Sequence, residues 1–181
     1  MIKKEKKYSL SIIIPILDEI NSLKKTLNIL NDIRIKKEYI IIYSNKFTPK
    51  SIQKKIFKLK RNYKNLRHFP QVKPYVGGAI DLGIRKASYK YVAIMASDLE
   101  TNPYELKNMV KISKKNPTSI ISADRWISKK GFSDYGVIKF FANYFFQKLL
   151  KFFFKYKILD FTFAYRLYPS SSLKNYKINE L

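Results

Sequence analysis

Residues 39–43 read Tyr-Ile-Ile-Ile-Tyr and are apolar at every position. A strand with one wet face alternates polar and apolar residues. One with no polar position is buried on both faces, as in a parallel sheet covered by helices. The flanking sequence makes the same demand. Strand-length segments at 8–15, 66–69, 91–95 and 119–123 alternate with segments of helical period. The helical segments carry Leu23, Leu27 and Leu30 from about Ser22, then Ile52, Ile56 and Leu59 after a Thr48-Pro49 start. Two more carry Ile80, Ile84 and Ala87 after a Gly77-Gly78 loop, and Leu106, Met109 and Val110 after Pro103. The alternation predicts an α/β fold with a mainly parallel sheet and helices on both faces. No repeat or linker divides the 181 residues, and 46% hydrophobic content provides a sizeable core, so one domain over 1–181 is expected.

Composition narrows the chemistry. There is no cysteine, which excludes disulfides and thiolate metal sites and fits a reducing compartment. His68 is the sole histidine, so a histidine-based triad or a multi-histidine metal site within one chain is excluded. Its place before Phe69-Pro70 at a strand end suits a structural role. The net charge is +24, from 37 basic and 13 acidic residues, and 31 of the basic residues are lysines. Such a balance suits a polyanionic partner, and it equally fits the coding bias of an A/T-rich genome. No helix-turn-helix, zinc finger or aromatic RNA-binding signature accompanies the lysines, so no nucleic-acid partner is expected. Neither a secretory signal nor a run of ~20 uncharged apolar residues is present, so an integral membrane protein is not expected.

From Tyr135 to Tyr156 one long helix is predicted. Ile138, Phe141, Phe145, Leu149 and Phe152 recur at helical spacing, beside a polar stripe of Lys139, Asn143, Gln147, Lys151 and Lys155. So many phenylalanines among lysines suit a membrane interface; a helix packed over the sheet is the alternative.

Candidate chemistry sits where strands end. Tyr91-Val-Ala-Ile-Met-Ala-Ser-Asp98-Leu-Glu100-Thr-Asn-Pro103 is an apolar strand running into carboxylates and then a proline-started helix. Ligands of open α/β sheets bind at the carboxyl ends of strands, which puts Asp98 and Glu100 beside a substrate. With Ser11-Ile-Ile-Ile-Pro15-Ile-Leu17-Asp18-Glu19 and Gly77-Gly78-Ala79, the chain resembles the GT-A glycosyltransferases of family 2, nearest the dolichyl-phosphate mannose synthase-like branch. The resemblance runs from about Leu10 to Pro169. It implies a GT-A, Rossmann-like sheet plus an amphipathic C-terminal helix, with a nucleotide-sugar-binding half over 8–125, an acceptor- and membrane-facing part over 126–169, and a tail over 170–181.

The resemblance also implies roles. Pro15, Leu17, Glu19, Ser44, Asn45, Gly77, Gly78 and Asp98 would line the nucleotide-sugar site. Asp98 and Glu100 would hold Mg2+ or Mn2+, which bridges the oxygens of a leaving diphosphate. Asp98, Arg125 and Asp160 would be catalytic, and Arg125, Lys139 and Arg166 would contact an acceptor phosphate. Departures from the family are visible. Its Asp-x-Asp reads Ala96-Ser97-Asp98, its Asp-Asp after the second strand reads Ser44-Asn45, and the glycine of Asp-x-Thr-x-Gly-Phe-Arg-x-Tyr is Ala164 in Asp160–Tyr168. Asp124 beside Arg125 equally suits an ion pair. The expected activity is inverting transfer of a sugar from a nucleoside diphosphate to a polyprenyl phosphate or lipid-linked glycan. It would take place in the cytoplasm, with the protein peripheral at the inner membrane face. An inactive or split relative that keeps the fold without turnover is the alternative.

Overall fold

The computed structural model describes residues 8–99, 101–124, 136–153, 160 and 162–173, with the backbone alone at 137–140. The strands are β1 (Ser9–Ile16), β2 (Lys36–Ser44), β3 (Leu66–Gln71), β4 (Tyr91–Ile94), β5 (Ile121–Ser122) and β6 (Arg166–Pro169). The helices are α1 (Ile20–Asn31), α2 (Lys50–Asn62), α3 (Tyr75–Lys86), α4 (Glu105–Lys115) and α5 (Val137–Phe153). These strands form one sheet in the order β3-β2-β1-β4-β6-β5. Pairing is parallel from β3 to β4, and β6 runs antiparallel to both β4 and β5.

The mainly parallel α/β sheet is the expected one, apart from β6. The periodicity did not reveal this strand. Arg166-Leu-Tyr-Pro169 is short, with Arg166 and Tyr168 half-buried and Leu167 and Pro169 buried. Boundaries moved as well. Pro49 is the N-cap of α2 rather than its first residue, and α4 begins at Glu105, two residues after Pro103. The strand expected at 119–123 shortens to two residues.

Burial on both faces organises the core. Residues 37–43 of β2 are all buried. On one face α1, α2 and α4 bring Leu23, Leu27, Leu30, Ile56, Leu106 and Met109 against Ile12, Ile14, Tyr39 and Ile41. On the other, α3 covers Ile13, Ile40, Ile42, Val92 and Ile94. The approach of α3 is close enough that a Cβ on Gly83 would meet Ile13 Cγ2 at 2.4 Å. Only glycine fits there.

Polar groups staple the opposite end of the sheet from the candidate site. The buried Glu38, near the amino end of β2, accepts from Ser11 Oγ at 2.7 Å and from the Ser88 backbone N–H at 2.8 Å. Its second oxygen takes Arg67 Nη1 at 3.0 Å, so one carboxylate joins β1, β2, β3 and the turn before β4. Lys37 Nζ donates to the carbonyls of Asn31 and Ile33 and closes the end of α1. His68 stacks on Phe57 at 4.6 Å, and burial together with nearby Lys60 holds its pKa low, which fits the structural role expected of it.

Glu38→Ala should lower unfolding stability by about 2–3 kcal/mol, because three donors lose a charged acceptor. Urea denaturation measures this; a change below about 0.5 kcal/mol would mean that solvent replaces the staple.

Candidate functional site

The parallel register brings the ends of β1, β2 and β4 to one edge. Ile16 stands beside Tyr43, Ile13 beside Ile94, and the Met95 N–H continues the ladder to the Ile13 carbonyl. Because β6 is antiparallel, its first residue, Arg166, lies opposite Ile94 at the same edge. Ser122 pairs with Arg166, and the Ala123 N–H donates to the Tyr165 carbonyl, which directs Asp124 to this edge too. The fold thus gathers Leu17, Glu19, Ser44, Asn45, Asp98, Asp124, Asp160 and Arg166 from distant parts of the chain. Glu100 and Arg125 lie outside the described residues, and Lys139 has a described backbone only.

The exit of β4 is built tightly. Ser97 is buried, whereas Asp98 is exposed. Leu99 follows with φ 70°, a left-handed conformation that costs a leucine about 1–2 kcal/mol. Thr101 Oγ1 donates to the Ala96 carbonyl at 3.2 Å and closes the loop. Strain of this kind clusters at functional sites and persists only where neighbouring contacts, here those of Thr101 and Ser97, fix the turn.

Glu19 joins β1 to β4. Its Oε2 accepts from the Leu17 and Asp18 backbone N–H groups at 3.1 and 3.2 Å, and from Ser97 Oγ at 3.3 Å. Burial works to raise the Glu19 pKa, but the backbone donors and the Ser97 hydroxyl outweigh it and hold the carboxyl below its ordinary range. The geometry makes Glu19 a brace for the loops that flank Asp98.

The loop after β2 is self-contained. Ser44 Oγ accepts from the N–H groups of Lys46 and Phe47, while buried Thr48 accepts from the Ser44 N–H and donates towards the Ile16 carbonyl. The Asn45 side chain is exposed, and Pro15 is half-buried within β1. Apolar side chains rim this part of the edge: Leu17, Phe47, Val72 and Tyr75 are all exposed. The exposed Phe47 and Tyr75 are not among the residues that the sequence singles out. Only the folded order of the strands brings the loops after β2 and β3 together with the β1 end.

The glycines correct one expectation. Gly77 and Gly78 stand in the first turn of α3, not in a loop before it. Pro74 and Tyr75, the latter at φ 61°, make the turn instead. A Cβ on Gly78 would lie 2.5 Å from the Lys73 carbonyl oxygen, so the residue admits a close backbone approach at the helix start.

Asp160 is buried, and its Oδ1 accepts from Gln147 Nε2, Thr162 Oγ1 and the N–H groups of Thr162 and Phe163, all within 2.9–3.1 Å. An oxygen holding four donors orients the segment leading into β6. Gln147 also donates to Asn143 Oδ1, so the polar stripe of α5 turns inward at these positions. The aromatic stripe turns outward: Phe141, Phe145 and Phe152 are 64%, 70% and 81% exposed, against 3% for Gln147. Among the described residues no helix is long and apolar enough to cross a membrane.

The Glu19 brace carries a pH signature. Since its folded pKa lies below the ordinary carboxyl value, its stabilisation is present above that value and fades as pH falls through the folded pKa. Glu19→Gln should therefore destabilise the protein at pH 7 and converge with the parent in acid. Denaturant titrations across pH measure the gap; a gap independent of pH would remove the charge from the explanation.

Comparison with known proteins agrees with this architecture. The sequence profile described as Glycosyl transferase family 2 matches residues 11–177. No curated protein sequence matches the chain. Among solved structures, glucosyl-3-phosphoglycerate synthase from Mycobacterium tuberculosis, in complex with phosphoglyceric acid, is similar at TM-score 0.62 and 15% identity over 94% of this chain and 59% of that one. TarS 1–349 of S. aureus in complex with UDP gives 0.56 and 15%, over 92% and 48%. Mannosyltransferase PcManGT from Pyrobaculum calidifontis, with GDP-Man and Mn2+, gives 0.55 and 16%, over 67% and 36%. The chain thus spans between about a third and three-fifths of the length of these proteins. The likenesses establish the GT-A, Rossmann-like fold, and the profile match over nearly the whole sequence gives the lineage: the chain belongs to glycosyl transferase family 2.

Proposed function

We propose that this protein transfers a sugar from a nucleoside diphosphate donor to a polyprenyl phosphate or lipid-linked glycan, working as a peripheral protein at the cytoplasmic membrane face. The observation that carries the reading is Asp98, an exposed carboxylate on a strained turn at the carboxyl end of β4, in a chain whose family is established. The exposed Phe47 and Tyr75 at the neighbouring edge suit a nucleobase, which stacks on aromatic faces without needing the carboxylates that Ser44 and Asn45 replace. Pro15, Leu17 and the first turn of α3 at Gly77 and Gly78 would complete the donor site. Glu19 would act by holding the β1 and β4 loops in register.

The donor set fits a hard divalent cation. Among the described residues no three acidic or histidine groups cluster. Mg2+ needs no such cage, since it binds through one or two carboxylates plus substrate phosphates. Asp98, with Glu100, would hold Mg2+ or Mn2+, whose charge would offset that developing on the leaving diphosphate. Arg125, Lys139 and Arg166 are the candidates for an acceptor phosphate. Such an acceptor is already an oxyanion at neutral pH and needs little help from a base. That suits a site in which Asp160, the one candidate base, has an oxygen occupied by four donors. The outward aromatic face of α5 supports the peripheral membrane placement.

A second reading, a relative that keeps the fold without turnover, draws on Ala96, Ser44 and Asn45 at the family's acidic positions. Calorimetry with UDP and GDP, in Mg2+ or Mn2+ and then in chelator, separates the two. We expect metal-dependent binding that Asp98→Asn weakens about tenfold or more. Equal affinity with metal and chelator would move the diphosphate onto basic side chains, and no binding in either would favour the second reading.

A further inference from the structure

The charge of this protein is sorted in space. Helices α1, α2 and α4 lie on one face of the sheet and expose twelve basic side chains, eleven lysines and Arg61, against a single acidic residue, Glu105. All twelve are exposed. Of the other acids among the described residues, Asp32 caps the carboxyl end of α1, Asp18, Glu19, Asp98, Asp124 and Asp160 stand at the carboxyl edge of the strands, and Glu38 and Asp81 are buried in ion pairs with Arg67 and Arg85. A lysine-rich coding bias alone does not produce this pattern. Solvated helices ordinarily intersperse glutamates with lysines at three- and four-residue spacing, because such pairs stabilise them and like charges repel. On this layer the repulsion is left standing.

We infer that the outer surface of α1, α2 and α4 is a docking face for an anionic lipid surface, a contact additional to that of α5. The inference rests on the peripheral-membrane reading above. Charge complementarity selects the partner, and the chemistry of the layer selects lipid over nucleic acid. Lysine is a strongly hydrated point charge on a flexible stem, suited to a diffuse and mobile array of phosphates; the forked arginine that reads bases bidentately occurs once. Aromatic rings meet the layer only at its margins, where Lys114 lies over the half-buried Tyr8 ring and Tyr104 caps the start of α4. Within the three helices Phe57 is the one large exposed aromatic ring, and it stacks against His68. Three helices laid side by side on a sheet present a broad face, and the long side chains let their ammonium groups reach lipid phosphates without burial of the backbone.

Vesicle co-sedimentation of the full chain tests this, using phosphatidylcholine vesicles with and without phosphatidylglycerol. The layer variant carries Lys54→Glu, Lys58→Glu, Lys111→Glu and Lys115→Glu. A matched variant carries Lys36→Glu, Lys64→Glu, Lys86→Glu and Lys90→Glu, which lowers the net charge equally from exposed positions off these helices. Circular dichroism and thermal melts establish that each is folded. We expect the layer variant to lose about tenfold or more of its partition to anionic vesicles, the matched variant to keep most of it, and added salt to abolish the difference. Equal losses would assign the binding to net charge, and no loss would leave the layer without a role; either overturns the inference. So would salt-resistant binding to an RNA homopolymer that exceeds vesicle binding and is lost in the layer variant. A Phe145→Ser, Phe152→Ser protein separates the two contacts. If it loses binding to neutral vesicles but keeps the phosphatidylglycerol increment, both contacts stand. If the parent never binds neutral vesicles, the α5 contact fails while the layer is judged on the anionic increment alone.

Discussion

Two-sided burial of β2 is the constraint from which the rest follows. With residues 37–43 all buried and helices on both faces, the interior of the sheet has no room for a ligand or for unpaired charge. The carboxylates around β2 stand at the two ends of the strands. The amino end is closed by the Glu38 staple and by Lys37 on the end of α1. The carboxyl end is left for Asp98, Glu19, Asp124, Asp160 and Arg166. The candidate site is the open end of a sheet whose central strand, β2, is covered on both faces.

That end is stiffened by groups that do not themselves need to touch a ligand. Glu19 and Ser97 bridge the exits of β1 and β4, Thr48 ties the loop after β2 to Ile16, and Thr101 closes the turn that carries Leu99. A carboxylate works on a diphosphate only if the loop beneath it is held still. The left-handed Leu99 is the visible cost of that fixation. On the far side, one buried amide, Gln147, links α5 to Asp160 and so to the start of β6. Whatever meets the outer face of α5 therefore acts on an element fastened beside the site.

Much of the fold could be read from the sequence, because its strands are buried on both faces and its helices amphipathic. Tyr39–Tyr43 and the Leu23-Leu27-Leu30 spacing state their environments directly. β6 escaped because its four residues stand as a strand only through β4 and β5, neither adjacent in sequence. Resemblance to a Gly-rich turn puts Gly77 and Gly78 before the helix; the close approach to the Lys73 carbonyl that requires Gly78 within its first turn is visible only in the folded chain. Asp98 was legible as a strand-end carboxylate. The brace at Glu19, the four donors on Asp160 and the aromatic rim at Phe47 and Tyr75 were not, since each depends on which loops the strand order makes neighbours. The facing of α5 ran opposite to simple polarity: Gln147 points in and the phenylalanines point out.

The central claim is that Asp98 marks a diphosphate site at the carboxyl edge of β4. Anomalous diffraction at the manganese edge, from crystals grown with Mn2+ and a nucleoside diphosphate, tests it most directly. The account predicts one strong peak within coordinating distance of Asp98, with the diphosphate beside it. A nucleotide bound elsewhere, or a diphosphate at this edge held by basic side chains with no peak at Asp98, would contradict it.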